Sequence, residues 1–163
     1  MSFLIFLNQF NTNNVYLEPA TVNAIPHAIP HDAKFYRITY STPRISLNPV
    51  GCVVHLVPTK ITQHYNHKWS IQFDASHPVN AGIIDQFRKI ETDIVNKFMH
   101  SGLVDKRQCV FANGLTEGMI KTDYDADVPS GFASLSESQF VLYITGVWES
   151  QTEYGISCRF AKW

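Results

Sequence analysis

Charge is scarce in this chain: 17% of its 163 residues are Asp, Glu, Lys or Arg, and 13 cations against 14 acids leave a formal net charge of −1. The basic surplus that marks many nucleic-acid binders is missing, so any polyanion site must come from cations gathered on one face. Cysteine is equally sparse. Cys52, Cys109 and Cys158 are odd in number, widely spaced and without a CxxC pair, which argues against a disulfide framework and for three core thiols in a reduced compartment. No GxSxG, Walker, HExxH or paired-cysteine signature occurs, so no enzyme is expected and no cofactor is called for. Internal repeats are absent. The apolar opening Ser2–Leu7 has no basic flank and ends quickly at Asn8, Gln9 and Asn11, too short to span a bilayer and unlike a signal peptide. The expectation is a soluble intracellular protein with no membrane partner, folded as one domain over residues 1–163.

Apolar and aromatic residues are plentiful: 45% hydrophobic, with 11 Phe, 7 Tyr and 3 Trp, a mix that suits strands and excludes a largely disordered chain. The clearest stretch runs from Gln139 to Ala161. Phe140, Leu142 and Ile144 alternate with Val141, Tyr143 and Thr145, and Tyr154, Ile156, Cys158 and Phe160 share one face. A period of two on either side of Glu149–Thr152 predicts a hairpin, with Gly146 at a bulge or a close backbone approach. Parity with apolar neighbours assigns Trp69 and Trp148 to the core.

Earlier in the chain, Phe3–Leu7 reads as a first strand and Val15–Leu17 as a strand seed within a Pro-rich stretch. Lys34–Ser41 alternates Tyr36, Ile38 and Tyr40 with Phe35, Arg37 and Thr39, a strand with a cationic face. Gly51–Val57 predicts a strand buried on both sides, holding His55 as an interior histidine rather than a base. Pro58 is read as its end, and Thr59–Lys68 as a connecting loop carrying Lys60, His64, Tyr65 and Lys68. Cations beside an exposed ring can neutralise phosphates and stack a base together; a solvated loop and a zinc site from His64, His67 and His77 are the other readings. His27 and His31 are four apart, but Pro26 and Pro30 prevent the continuous helix that would set them on one face as a metal pair, so a surface loop is expected. Trp69, Ile71 and Phe73 mark another strand. Ile83–Met99 then switches to helical spacing, with Asn80 as N-cap and Gly102 as the C-terminal stop. Cys109–Ala112 and Gly118–Lys121 are short strand candidates, and Lys106 with Arg107 an exposed basic pair. Asp123, Asp125 and Asp127 fail as a calcium loop because Val128 and Ser134 stand where glycine and glutamate are needed.

About eight strands and one helix between strand-rich halves predict a mainly β fold with one α-helix, an OB-like antiparallel barrel, with a jelly-roll sandwich as the alternative. GVWES, followed by TEYGISCRF, and FYRITYSTP at Phe35–Pro43 resemble the C-terminal and early strands of OB-fold single-stranded DNA-binding proteins of large double-stranded DNA viruses, a family related to the podoviral single-stranded DNA-binding proteins. The resemblance implies sequence-independent binding of single-stranded DNA in viral replication or recombination, with viral replication proteins as further partners and a homodimer left open. It implies phosphate contacts from Arg37, Lys60, Lys68 and Arg159, with His64 in the same cluster, and base stacking on Tyr65. The podoviral members end in an acidic tail that contacts replication partners, which Arg159-Phe160-Ala161-Lys162-Trp163 does not match. A virion structural or assembly protein of β-sandwich type, without a nucleic-acid groove, is the other function class.

Overall fold

A computed structural model describes residues 4–22, 33–65, 68–99, 103–123 and 138–162. His27, His31, His67, Gly102, Asp125, Asp127 and Trp163, on which several of the expectations above rest, lie outside them. The strands are β1 Leu4–Phe6, β2 Val15–Leu17, β3 Thr21–Val22, β4 Lys34–Ser41, β5 Ser46–Leu47, β6 Val50–Leu56, β7 Pro58–Gln63, β8 Lys68–Phe73, β9 Arg107–Cys109, β10 Met119–Asp123, β11 Ser138–Glu149 and β12 Glu153–Lys162. The helices are α1 Pro78–Phe98 and the short α2 Phe111–Leu115.

The strands join one curled mixed sheet that forms a half-barrel, an OB-like architecture with one main helix. Its central path runs β1-β6-β11-β12-β10-β8-β7. The long β11 is the hub: it pairs antiparallel with β12 through Phe140–Glu149, with β6 through Ser138–Ile144 and with β4 through Gly146–Glu149. The expected all-antiparallel pattern gives way in three places, where β1 pairs with β6, β10 with β12, and β9 with β12 in parallel. Each joins strands distant in sequence, so a long crossover is available to turn the chain.

One face of the sheet is apolar. Ile38, Cys52, Val54, Ile71, Ile120, Phe140, Leu142, Ile144 and Val147 are all buried on it, and α1 lies against them with Ile84, Phe87, Ile90, Ile94, Val95 and Phe98. Phe87 and Ile94 are wholly buried, each adding roughly 1.5–3 kcal/mol of apolar burial. The Phe98 ring meets Tyr36 edge-on at 4.7 Å and Tyr154 at 6.5 Å, tying the helix end to β4 and β12.

Several local expectations change. The helix starts at Pro78 with His77, not Asn80, as N-cap: the His77 Nδ1 accepts the Val79 N–H at 3.3 Å, and proline at the first helical position needs no partner for a donor. Asn80 sits inside the helix, fully buried, where its amide accepts from the Val57 N–H (2.8 Å) and donates to the carbonyls of Val57 (3.0 Å) and Asp74 (2.8 Å). Residues 58–63 form edge strand β7 rather than a loop, since proline is tolerated as the first residue of an edge strand beside a bulge. Gln108 and Cys109 end β9, while Phe111 and Ala112 open α2 instead of extending a strand.

Trp148 is not in the core. A bulge between Ile144 and Gly146 inserts one residue into β11, so beyond it Val147 and Glu149 point inward and Trp148 lies half-buried on the other face, over Gly155. Trp69 is buried as expected. His55 is half-exposed on the outer side of β6 rather than interior. Of the cysteines, all free, Cys52 is fully buried, with burial pushing its thiol up to about 12, and Cys158 packs against the core, but Cys109 is half-buried outside it. Lys106 is no exposed cation: it pairs with buried Glu149 and donates to the Ser150 carbonyl at 2.7 Å, and Arg107 pairs with Glu153.

Candidate nucleic-acid interface

Side chains two residues apart on a strand share a face, so the pairing register fixes what stands together on the side away from α1. Lys60 pairs with Gln72 and Thr62 with Ser70 across β7 and β8. Ser70 pairs with Lys121 of β10. The parallel pairs Thr122 to Phe160 and Asp123 to Ala161 set Lys121 level with Arg159 of β12. Arg159 in turn pairs with Tyr143 of β11. The outer face of four strands that are scattered through the sequence thereby carries Lys60, Lys68, Lys121 and Arg159, with Tyr143 beside the last.

Local contacts hold these groups in place. The Arg159 guanidinium lies over the Tyr143 ring, 4.6 Å from its centroid, an arrangement that orients the fork while leaving its donors open. At the β7–β8 turn the His64 N–H donates to the Lys68 carbonyl at 2.7 Å, and the His64 Nε2 and Ser70 Oγ share a hydrogen bond of 2.7 Å. The imidazole is thus folded onto the outer face beside Lys68 and Lys121. These three, with Ser70, Trp69 and Thr122, line a hollow of about 430 Å³. Next to it Tyr65 is 94% exposed at the hairpin tip. Asp123 stands opposite Lys68 in register.

Among the described residues no carboxylate pairs with Lys60, Lys68, Lys121 or Arg159, whereas Lys106 and Arg107 are engaged by Glu149 and Glu153. Like charges left on one face without acidic partners favour an anionic ligand. No group of three His, Cys, Asp or Glu side chains among the described residues is placed to hold a metal ion. His64 bonds Ser70, and His77 is spent capping α1.

Of the residues singled out from sequence, Lys60, His64, Tyr65, Lys68 and Arg159 meet on this face. Arg37 points to the same side but stands apart: it pairs with Gly146, and the Glu18 N–H donates to its carbonyl at 2.9 Å, which brings an acidic residue alongside. Lys121 and Tyr143 escaped sequence reasoning. Tyr143 carried a signal, its outward parity in β11; Lys121 carried only the alternation of Met119–Asp123, with nothing to reveal that β10 lies between β8 and β12.

A second opening lies between β10 and β12. Their pairing covers only the Thr122 and Asp123 end of β10, and before it the strands part over α2, leaving a cleft of about 570 Å³. The chain matches no protein-family model, no curated protein and no solved structure.

Proposed function

We propose that the chain is a non-enzymatic single-stranded nucleic-acid-binding protein that uses the outer face of β7, β8, β10, β12 and β11. The observation that carries this reading is the row from Ser70 through Lys121 and Arg159 to Tyr143, with Lys60 and Lys68 on either side of it along the strands. Unpartnered cations spaced over neighbouring strands suit a phosphate backbone, Tyr143 holds the Arg159 guanidinium among them, and the exposed Tyr65 offers a ring on which a stacked base adds about 1–3 kcal/mol. A near-neutral chain is no obstacle, because the cations on this face are left without carboxylate partners while Lys106 and Arg107 are spent in ion pairs with Glu149 and Glu153. The two segments that resemble viral OB-fold proteins are hydrogen-bonded neighbours, β4 to β11 through Arg37–Gly146, Tyr36–Val147 and Phe35–Trp148. Single-stranded DNA as the ligand and viral DNA replication or recombination as the setting are what that resemblance implies. The test is an anisotropy titration of a labelled single-stranded oligonucleotide. Binding at low salt that weakens steeply with added salt and varies little with sequence supports the reading; no binding at low salt overturns it.

A further inference from the structure

The cleft between β10 and β12 crosses the plane of the sheet. Met119, Lys121 and Arg159 reach it from the outer face, Ile120 and Phe160 from the inner one. Its floor is α2, where the Phe111 ring lies 6.3 Å from that of Phe160 at an interplanar angle of 27°. At about 570 Å³ it falls within the range of about 300–1,000 Å³ typical of ligand pockets. It is also built in advance. Both Glu91 carboxylate oxygens, buried under α1, accept the first N–H groups of α2, from Phe111 at 2.6 Å and Ala112 at 3.0 Å. Gly118, at φ 72°, turns the chain from α2 into β10 while its carbonyl accepts the Phe73 N–H at 2.8 Å.

An apolar, aromatic-floored slot whose mouth is flanked by two cations without acidic partners suits a planar apolar group joined to an anion. We propose that this cleft receives one nucleobase, turned inward from a strand whose adjoining phosphates rest on Lys121 and Arg159. The inference deepens the nucleic-acid reading above and rests on it. Glu117, exposed at the mouth, can accept a hydrogen bond from a base N–H, such as the N3–H of thymine.

The experiment titrates the full chain with two labelled single strands of equal length and phosphate number, oligothymidylate and its fully abasic counterpart, at one salt concentration. Oligothymidylate is expected to bind about tenfold more tightly. Gly114→Phe adds a ring at a cleft-lining position of α2 where an added Cβ meets no atom within 4 Å. It is expected to cut that preference to about twofold while leaving abasic-strand affinity and the melting temperature unchanged. Alkylation of Cys158, which lines the cleft, is expected to slow with oligothymidylate and not with the abasic strand. Equal affinity of the wild-type chain for both strands, or Cys158 alkylation slowed equally by both, overturns the base site and leaves the charged face standing. Binding of neither strand at low salt overturns the nucleic-acid reading itself.

Discussion

The Arg159 guanidinium stacks 4.6 Å from the centre of the Tyr143 ring, joining β12 to β11 on the face opposite the helix. The ring fixes the plane of the fork, which a lysine ammonium cannot copy despite equal charge. Arg159→Lys is expected to lower oligonucleotide affinity about two- to fivefold, the equivalent of an exposed cation–π contact of about 0.5–1 kcal/mol, with no change in salt dependence. Anisotropy titrations at several salt concentrations measure both quantities.

Gly118 takes a left-handed φ of 72°, and an added Cβ would fall 2.4 Å from the Phe73 carbonyl oxygen. Neither problem is relieved by moving a flexible side chain. Gly118→Ala is expected to destabilise the fold by roughly 1–3 kcal/mol, whereas Gly114→Ala, in open space, is expected to be neutral or slightly stabilising. Urea midpoints of the two variants separate these outcomes.

Asn80 joins the end of β6, the turn after β8 and the first turn of α1 through a single buried amide. Asn80→Leu conserves approximate volume but strands the Val57 N–H and two carbonyls away from water. Each orphaned group costs about 1–3 kcal/mol, so a loss of at least about 3 kcal/mol is expected, read from the urea midpoint.

Burial holds the Glu91 carboxyl above its ordinary value of 4.5, outweighing the two backbone N–H donors and the nearby Arg88 charge that pull it down. A raised folded-state value means that the unfolded chain releases this proton first as pH rises. The Glu91 contribution to stability is therefore complete below pH 4.5 and is lost as pH climbs through the folded-state value. Comparing urea midpoints of the wild type and Glu91→Gln across this range, the wild type is expected to lose ground on the alkaline side and the variant to lack that loss.

How much of this was legible in the sequence depended on distance along the chain. The β11–β12 hairpin could be read because its partners are adjacent and its period of two is strict, and α1 because its apolar residues recur at helical spacing. The pairings of β10 with β8 and of β4 with β11 leave no local trace, since hydrogen bonds between remote strands involve backbone that every residue shares. That is why the cations of β7 and β8 were visible as a cluster while Lys121, which links them to Arg159, was not. Trp148 shows the other limit: parity counted from Ile144 places it inside, and the single inserted residue of the bulge turns it out. Gly146 announced that irregularity, yet a glycine alone does not say whether the register shifts. Here an added Cβ would also lie 2.4 Å from the Tyr36 carbonyl oxygen, so bulge and close approach coincide.

The most direct measurement of the central claim is the slope of log affinity against log salt for single-stranded DNA, taken for the wild type, Lys121→Ala, Arg159→Ala and, as a control on the exposed face of α1, Lys89→Ala. With Lys60, Lys68, Lys121 and Arg159 each neutralising a phosphate, the wild-type slope is expected near about −3, and removing Lys121 or Arg159 is expected to reduce its magnitude by about 0.7. Lys89→Ala is expected to leave it unchanged. A wild-type slope near zero, or one that responds to Lys89 as much as to Lys121 and Arg159, would contradict the account.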